Sequence, residues 1–353
     1  MVVLSTRQKK IVTLFLKNQT LSSSDVLKKI SETEDSISLV TIKRSLSDLA
    51  TYGVLTIAGA GRSTVYSISA EGRMTADINA EKYCSMDPDR RYGLKSYNFE
   101  LLPAFPTEIL TGNDLDILNK ATAVYHQRSY DLPESIRKKE LERLIVELSW
   151  KSSKIEGNTY TLLDTEKLIL ENKAAPGKKK EEMLMILNHK DAFDFIRLNP
   201  DYFKTITRKN LEEVHTILVK GLDIDPGIRK NLVGVIGSIY HPLDNIHQIK
   251  EAIVDLENAV ARLSSPYDKA LLALIGLSYI QPFADGNKRT SRLMANAILI
   301  ANGLAPLSYR SIEEKDYRNA IIAFYELNTI GPIKKLFIEQ YVFAAENYAY
   351  SPD

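Results

Sequence analysis

A polar loop, QPFADGNKRTSR at residues 281–292, decides how the rest of the chain is interpreted, because it separates two apolar segments. The segment before it, residues 268–280 (DKALLALIGLSYI), and the segment after it, residues 293–301 (LMANAILIA), both have the composition of buried helices. The loop is therefore predicted to lie at a helix-to-helix junction. Loops held by rigid elements are where binding and catalytic groups concentrate, so this junction is the first candidate for a functional site.

The residue types in the loop suit a nucleotide. Gly286 permits a tight turn, and a helix that starts near Asn287 directs backbone N–H groups and the positive end of its dipole at the loop, which favours an anion. Arg289 and Arg292 share one helix face and can each bind a phosphate, whereas Asp285 is suited to holding Mg²⁺ against a triphosphate. A Gly-Asn turn with two surface arginines is also common without a ligand, but the complete string is much less common.

The complete string resembles the signature of the Fic family, His-x-Phe-x-Asp/Glu-Gly-Asn-Gly/Lys-Arg-x-x-Arg. Members of that family usually transfer AMP from ATP to a protein hydroxyl. The resemblance extends in the order of its parts over residues 113–348, and it implies a mainly α fold, ATP and Mg²⁺. It implies Asp285 as the metal ligand, and Asp285, Arg289 and the position of Gln281 as catalytic. The implied nucleotide-binding residues are Phe283, Gly286, Asn287, Lys288, Arg289 and Arg292, with weaker matches at Tyr317, Tyr325 and Asn328.

Gln281 departs from the family pattern at the position of the general base, which is a histidine in the family. A glutamine amide does not ionise near neutral pH and cannot accept a proton to form a stable acid. Losing a general base costs about 10²–10⁴ in rate, whereas the phosphate-binding part of the loop is unchanged. His215 and His241 are the candidates for a substitute base, but each is more simply explained as a packing or surface histidine.

A second resemblance lies upstream, in SSKIEGN at residues 152–158. It is similar to the family's inhibitory motif, Ser/Thr-x-x-x-Glu-Gly/Asn, which is carried here by Ser152, Glu156 and Gly157. The resemblance implies that Glu156 pairs with Arg292 and keeps ATP from a productive position, because a carboxylate on that guanidinium occupies the fork that a phosphate needs. The alternative is an ordinary acid at a helix end.

The run NLVGVIGSIY at residues 231–240, called the flap segment below, is β-like and is predicted to form a small hairpin in an otherwise helical body. The resemblance implies that it docks an extended segment of the target protein by β-augmentation. The residues that this assigns to target docking are Val233, Gly234, Val235, Ile236 and Tyr240.

The N-terminal part has a different pattern, with three helical segments followed by two short β-like runs. This order resembles a winged helix-turn-helix domain. The chain is accordingly divided into a winged-helix domain at 1–75, a connecting arm with a strand or two at 76–111, and a Fic-type helical domain at 112–353 that includes the inhibitory helix.

The winged-helix domain is predicted to contact DNA through one helix and the wing. Residues 1–70 carry nine Lys or Arg against five Asp or Glu, a modest basic surplus. The alternative is a protein-interaction domain whose charges are only solvated. The predicted DNA-contacting residues are Thr41, Lys43, Arg44 and Ser47 on the third helix and Arg62 on the wing.

The composition is that of an ordinary soluble protein, with 44% hydrophobic and 26% charged residues in 353 and a net charge of +1, which argues against a general polyanion binder. The single cysteine, Cys84, excludes an intramolecular disulfide and suits a reducing compartment. No signal peptide or membrane span is recognisable, so a cytoplasmic location is expected. The oligomeric state is left open, although winged helices and Fic proteins often form dimers.

The sequence leaves three functions open. The first is an AMP-transferase with weakened catalysis, acting on a Ser, Thr or Tyr hydroxyl of a protein, which could be the chain itself. The second is a nucleotide-binding pseudoenzyme in which ATP alters DNA binding by the winged helix. The third is hydrolytic removal of AMP, with Glu156 positioning the water.

Overall fold

The computed structural model describes residues 4–18, 20–32, 37–130 and 132–349, and it is mainly helical. The described chain packs as two compact units. The first comprises the described residues up to Pro106 together with Val235–His241 and Arg318–Lys334. The second comprises Thr107–Gly234, Pro242–Tyr317 and the described residues from Lys335 onward.

The first unit begins with three helices and a two-stranded antiparallel sheet, in the order that the sequence predicts. Its elements are α1 (Thr6–Lys17), α2 (Ser23–Ser31), α3 (Leu39–Thr51), β1 (Leu55–Ala58), β2 (Val65–Ile68), α4 (Ala70–Thr75) and α5 (Ala80–Cys84). In the sheet Leu55 pairs with Ile68. Ser22 and Ser38 cap α2 and α3 by accepting a hydrogen bond from the backbone N–H three residues on.

A continuous apolar core holds the three helices together. Each fully buried aliphatic or aromatic side chain stabilises the fold by roughly 1.5–3 kcal/mol. The almost completely buried members from these helices are Ile11, Val12, Phe15, Val26, Ile30, Ile42, Leu46 and Leu49.

The arm at 76–111 was predicted to contain a strand or two, and this prediction is wrong. Its described residues form α5 and a 3₁₀ turn at Pro88–Arg90, with no β-strand. Asn79 caps α5 with its side chain, and Pro88 provides the fixed φ that favours the start of a helical turn. The extended stretch that follows makes only an isolated bridge between Ser96 and His241.

The second unit is helical. Its elements are α6 (Gly112–Ser129), α7 (Glu134–Ile155), α8 (Leu162–Glu171), α9 (Lys180–Leu198), α10 (Arg208–Leu218), α11 (Ile246–Arg262), α12 (Pro266–Ile280) and α13 (Asn287–Ala301). The division between the units passes through the last two helices, α14 (Glu314–Leu327) and α15 (Gly331–Asn347). In the part of the chain that the structure describes, no helix is long and apolar enough to span a membrane.

Helices α12 and α13 are the centre of the second unit, and they fix the ends of the loop between them. Nearly every side chain of both helices is buried, as expected for helices that are enclosed on all faces. Helix α12 ends at Gln281 in the left-handed conformation, with φ +53°, and α13 begins after Gly286 at φ +80°. The loop is therefore short and held at both ends by buried helices.

The flap segment was predicted to be a β-hairpin, and this prediction is wrong as well. Its residues form no β-strand in the structure; they make a turn in which the Ser238 N–H donates to the Val235 carbonyl at 3.1 Å. A two-stranded hairpin with no further strand beside it is marginally stable. Here the backbone of the segment instead bonds to groups outside it, including the carboxylate of Glu326.

Candidate active site

The first loop residue, Gln281, is almost completely buried and is fixed through both its side chain and its backbone. Its Nε2 donates to the Ser278 carbonyl at 2.6 Å. Its own carbonyl accepts a hydrogen bond from Arg229 Nε at 2.7 Å, and the Arg229 N–H donates to the Pro282 carbonyl at 2.9 Å. The guanidinium of Arg229 also donates to the Asn231 carbonyl at 2.8 Å. Residue 281, where the Fic signature has its general base, is thus held rigidly.

The middle of the loop is closed by the side chain of Asn287. Its amide makes two hydrogen bonds with the backbone of Phe283, accepting from the N–H at 2.8 Å and donating to the carbonyl at 2.8 Å. The Gly286 carbonyl accepts the Thr290 N–H at 2.8 Å, which starts α13. Asn287 was assigned to nucleotide binding; in the structure its side chain shapes the loop.

Arg289 lies on α13 with an incompletely satisfied guanidinium. Its side chain is 2% exposed, and Nη2 donates to Asp285 Oδ2 at 3.1 Å. Its Nη1 is buried and has no hydrogen-bond partner among the described residues. Burial lowers the pKa of Arg289, although the carboxylates of Asp285 and Glu156 oppose this. A buried cationic N–H without an acceptor is costly, so an anion bound here would be stabilised.

Arg292 is fully buried, and its guanidinium is occupied by one turn of α7. Its Nε donates to Ser152 Oγ at 3.0 Å and its Nη2 donates to the Ser152 carbonyl at 2.8 Å. Its Nη1 donates to Glu156 Oε1 at 2.9 Å, and Lys288 Nζ lies 3.6 Å from Glu156 Oε2. The pair between Glu156 and Arg292 that the resemblance implied is present, with the Tyr317 ring centroid 5.5 Å from the guanidinium carbon.

Both members of this pair are held in their charged forms. For Glu156, burial opposes ionisation, but the charges of Arg292 and Lys288 outweigh it and lower the pKa of the carboxyl. For Arg292, burial again opposes the charge, but Glu156 outweighs it and raises the pKa of the guanidinium. Gly157 follows directly at φ +94°, a conformation that favours glycine, so α7 stops where Glu156 can reach the arginine.

His215 packs against the loop and is not positioned to act as a general base. Its ring stacks on Phe283 with the centroids 3.8 Å apart, and Nε2 donates to the Asp285 carbonyl at 3.0 Å. Burial lowers the pKa of His215 to about 4, so the ring is neutral at physiological pH. His241, the other candidate for a substitute base, is exposed.

The stability of the second unit should depend on pH through His215. Its folded pKa of about 4 lies below its ordinary value of 6.5, so protonation favours the unfolded state. Its contribution is complete above pH 6.5 and is lost as the pH falls towards 4. A shift of this size corresponds to about 3 kcal/mol.

The test is the substitution His215→Phe, which keeps an aromatic ring against Phe283. We expect this variant to show a smaller fall in the denaturant midpoint between pH 6.5 and pH 4 than the unaltered chain. Unfolding is followed by the fluorescence of Trp150. His126→Gln, at an exposed site, is the control, and equal slopes for His215→Phe and the unaltered chain would contradict this account.

Two buried residues near the loop carry no signal in the sequence. Arg229 holds the start of the loop from a segment about fifty residues upstream, a separation that no local pattern shows. His189 on α9 is fully buried, and neither ring nitrogen has a hydrogen-bond partner among the described residues. Burial, with the charges of Arg292 and Arg289, lowers the pKa of His189 well below its usual range.

The remaining predicted residues are divided between the two units. Tyr317 lies in the second unit and is buried beside Arg292. Tyr325 and Asn328 lie in the first unit, where the Tyr325 ring centroid is 5.5 Å from that of Tyr240 and the Asn328 Oδ1 accepts from Asn98 Nδ2 at 3.0 Å. Their assignment to nucleotide binding stays a prediction.

A metal site is not preformed in the described part of the chain, which has no group of three or more His, Cys, Asp or Glu side chains able to hold an ion. The Asp285 side chain is 63% exposed and supplies one carboxylate. Mg²⁺ in phosphoryl-transfer sites is usually held by one or two carboxylates with the phosphates of the substrate. The single exposed acid therefore fits a metal that arrives with a nucleotide.

Comparison with known proteins agrees with the helical fold and the loop. Residues 205–299 match the Fic/DOC family, and the match includes the entire loop. The protein adenylyltransferase Fic of Drosophila willistoni is 32% identical over 183 residues, which are 51% of this chain and 36% of that protein. The protein of the same name in Nematostella vectensis is 31% identical over 170 residues, 47% of this chain and 40% of its own length. This chain thus spans well under half the length of these curated relatives.

Solved structures share the fold at lower identity. Residues 134–508 of Fic-1 from C. elegans align with a TM-score of 0.56 at 20% identity, covering 67% of this chain and 72% of that one. A Fic domain containing signaling protein from Bacteroides thetaiotaomicron aligns with a TM-score of 0.55 at 19% identity, covering 65% and 94%. The helical fold and the loop are those of a Fic-type domain. Residues 205–299 are the part of the chain that matches the Fic/DOC family.

Proposed function

We propose that this protein transfers AMP from ATP to a hydroxyl of a protein Ser, Thr or Tyr, and that Glu156 holds it in an inhibited state. One observation carries the proposal: the loop is built to bind an anion, and one of its two arginines is already occupied by an internal carboxylate. Arg289 has an unpartnered buried N–H, whereas all three nitrogens of Arg292 are bound to Ser152 and Glu156. The two arginines therefore differ in whether their guanidinium groups already have all their hydrogen-bond partners.

Different groups of the loop would bind the phosphates of ATP and the Mg²⁺ ion. The N-terminus of α13 and Arg289 would receive phosphates, and Asp285 would hold Mg²⁺, which neutralises charge on the phosphates when it is bound. Arg292 becomes available to a phosphate only when Glu156 moves away. Because the pKa of Glu156 is lowered, protonation does not release it near neutral pH, so displacement has to come from binding or from a conformational change.

Gln281 limits the chemistry but leaves nucleotide binding intact. Its side chain is tied to the Ser278 carbonyl and offers no group that can take a proton from a hydroxyl. Phosphoryl-type transfer depends largely on positioning and charge stabilisation, so a slow transfer is expected rather than none.

The flap segment has the properties of a docking site for an extended peptide. In the described structure the N–H groups from Leu232 to Gly237 donate no hydrogen bonds to the protein. Exposure alternates along this stretch, with Leu232 at 77% and Ile236 at 97% and the residues between them alternately more and less covered. An open row of backbone donors with side chains on alternating faces is what β-augmentation uses.

Removing the inhibitory carboxylate tests this function. We expect Glu156→Gly to bind ATP at least about tenfold more tightly, because a charge-assisted hydrogen bond to Arg292 no longer competes with a phosphate. Calorimetric titration with ATP and Mg²⁺ measures the affinity, and ATP labelled at the α-phosphate measures transfer to proteins in a lysate and to the chain itself.

The control is Glu171→Gly, which removes an exposed acid at the end of α8 and should leave both measurements unchanged. Unaltered ATP affinity in Glu156→Gly would overturn the proposed inhibition. Tight ATP binding without any transfer would indicate a nucleotide-binding protein that has no transferase activity. Release of AMP from a modified protein only when Glu156 is present would indicate the hydrolytic direction.

We further propose that the first unit binds DNA through α3 and the wing. Lys43, Arg44 and Ser47 are exposed or partly exposed on α3, and Arg62 is exposed between the strands. Within the described part of the chain none of these three cations is in an ion pair, so their charges are available to phosphates. Thr41 is partly exposed and is hydrogen-bonded to the capping Ser38 at 2.9 Å.

Replacing Lys43 and Arg44 together with Ala should weaken binding to duplex DNA and reduce its salt dependence. Two lost phosphate contacts lower the slope of log affinity against log salt by about 1.8. A fluorescence-anisotropy titration at several salt concentrations measures it. The matched control replaces Lys28 and Lys29, a second basic pair at the end of α2, with Ala. An equal loss of DNA affinity in both double variants would contradict a specific role of α3, because the effect would then depend only on the total positive charge.

A further inference from the structure

We infer that Glu326, together with Arg91, is a positioning residue that fixes the second half of the flap segment. That the segment docks a target rests on the proposed function, whereas the positioning itself does not. The inference starts from a contrast within the segment. Its first half has open backbone N–H groups, whereas the residues from Gly237 to Tyr240 are bonded to groups outside and inside the segment.

A single buried carboxylate accepts two of these bonds. The Glu326 side chain is fully buried on α14, and its Oε1 accepts from Ser238 Oγ at 2.7 Å and from the Ile239 N–H at 3.1 Å. Its Oε2 accepts from Tyr83 Oη at 2.7 Å. Arg91 Nη1 lies 3.3 Å from Oε1 and supplies the opposite charge. One carboxylate therefore joins the flap segment to two parts of the arm, α5 and Arg91.

Arg91 binds the turn of the flap segment directly as well. Its side chain is 5% exposed, and Nη1 donates to the Gly237 carbonyl at 2.8 Å. Its other nitrogens donate to the Met86 carbonyl at 3.0 Å and to the Cys84 carbonyl at 2.9 Å. A lysine could not satisfy these three directions at once, because only the planar guanidinium presents a fixed fork of donors.

Backbone contacts continue the same connection. The Leu94 N–H donates to the Glu326 carbonyl at 2.6 Å, and the His241 N–H donates to the Lys95 carbonyl at 2.9 Å. His241, the residue after the flap segment, thus forms an isolated parallel β-bridge with Ser96 of the arm.

This anchoring matters because the flap segment has no strand beside it to set its register. For an extended peptide, a shift of one residue turns every side chain to the opposite face. The open half from Leu232 to Gly237 can present one register only if its far end is fixed. Glu326 and Arg91 supply that fixed end, and they belong to the same unit as residues 235–241.

Two hydroxyl deletions around the same carboxylate test the inference in the full-length chain. Ser238→Ala removes the donor from the flap segment, and Tyr83→Phe removes the donor from α5 and keeps the ring. Hydrogen exchange followed by mass spectrometry reads the N–H groups of residues 236–241 separately from those of α1, α2 and α3. We expect Ser238→Ala to accelerate exchange in 236–241 by about tenfold and to leave the three helices unchanged, because Ser238 Oγ no longer donates to the carboxylate and no longer accepts the Tyr240 N–H.

Tyr83→Phe should change exchange at 236–241 by less than about twofold, because the bonds from Ser238 and Ile239 to the carboxylate remain. Glu326→Gln and Arg91→Lys should each accelerate the same peptide more than Ser238→Ala does. Unchanged exchange in Ser238→Ala, or equal acceleration across the whole first unit, would overturn the inference. The exchange measurement needs no ATP and no target, so a failure of AMP transfer in every variant would refute the proposed function alone.

Discussion

Placing histidine at position 281 in the Glu156→Gly chain should raise the rate of AMP transfer by about 10²–10⁴-fold over Glu156→Gly alone, because it restores a general base. The backbone at this position favours the experiment. Gln281 has φ +53°, and histidine is among the residues that tolerate the left-handed region better than most. Its carbonyl bond with Arg229 does not depend on the side chain, so the loop should keep its shape.

The measurement is single-turnover labelling with ATP labelled at the α-phosphate, compared at saturating ATP so that binding does not contribute. Gln281→Asn in the same Glu156→Gly background is the matched control, because it keeps an amide and adds no base. A rate increase that follows a titration near pH 6.5 would identify the imidazole as the base. Equal rates for Gln281→His and Gln281→Asn would show that proton removal does not limit the reaction.

The elements of the fold were predictable where a local pattern was strong. The apolar segments on either side of the loop became α12 and α13, and α13 starts at Asn287, where the loop chemistry placed its beginning. Helix α8 was missed although Thr161 and Asp164 form a capping box at its start, so a usable signal was present there.

The flap segment shows why a β-like pattern was insufficient. Its valine and isoleucine content favours strands, but its partners are Arg91 and Glu326, which lie far away in the sequence. Tertiary contacts of this kind override propensity, and no sequence window contains them.

The candidate site was predictable in its chemistry and only partly in its contacts. Residue types in the loop indicated phosphate binding, and the pair between Glu156 and Arg292, 136 positions apart, came from a resemblance rather than from spacing. Arg229, which holds the start of the loop, and the buried His189 were missed because burial is a property of the packed chain. The same limit applies to Glu326, which looks in the sequence like one more acid on a helix.

Replacing Arg292 with Met should destabilise the second unit by about 3 kcal/mol, at the lower end of the cost of breaking a buried ion pair. The methionine fills a similar volume but leaves Glu156 without its main partner, and the Ser152 carbonyl and hydroxyl lose their donors. The lower end applies because the Glu156 side chain is 19% exposed and Lys288 remains 3.6 Å away. Trp150, the single tryptophan and two residues before Ser152, reports unfolding of this region by its fluorescence.

The double variant Arg292→Met with Glu156→Gln separates charge from packing. Removing the stranded carboxylate should recover about 1–2 kcal/mol of the loss, since an unpaired buried charge accounts for much of the cost. Arg310→Met, which removes a more exposed arginine whose guanidinium carbon lies 5.0 Å from the Trp150 ring, controls for changes in the fluorescence itself. Strict additivity of the two substitutions would contradict a coupled pair. If they couple, the coupling free energy measures the contact that, under the proposed function, a phosphate of ATP has to displace to reach Arg292.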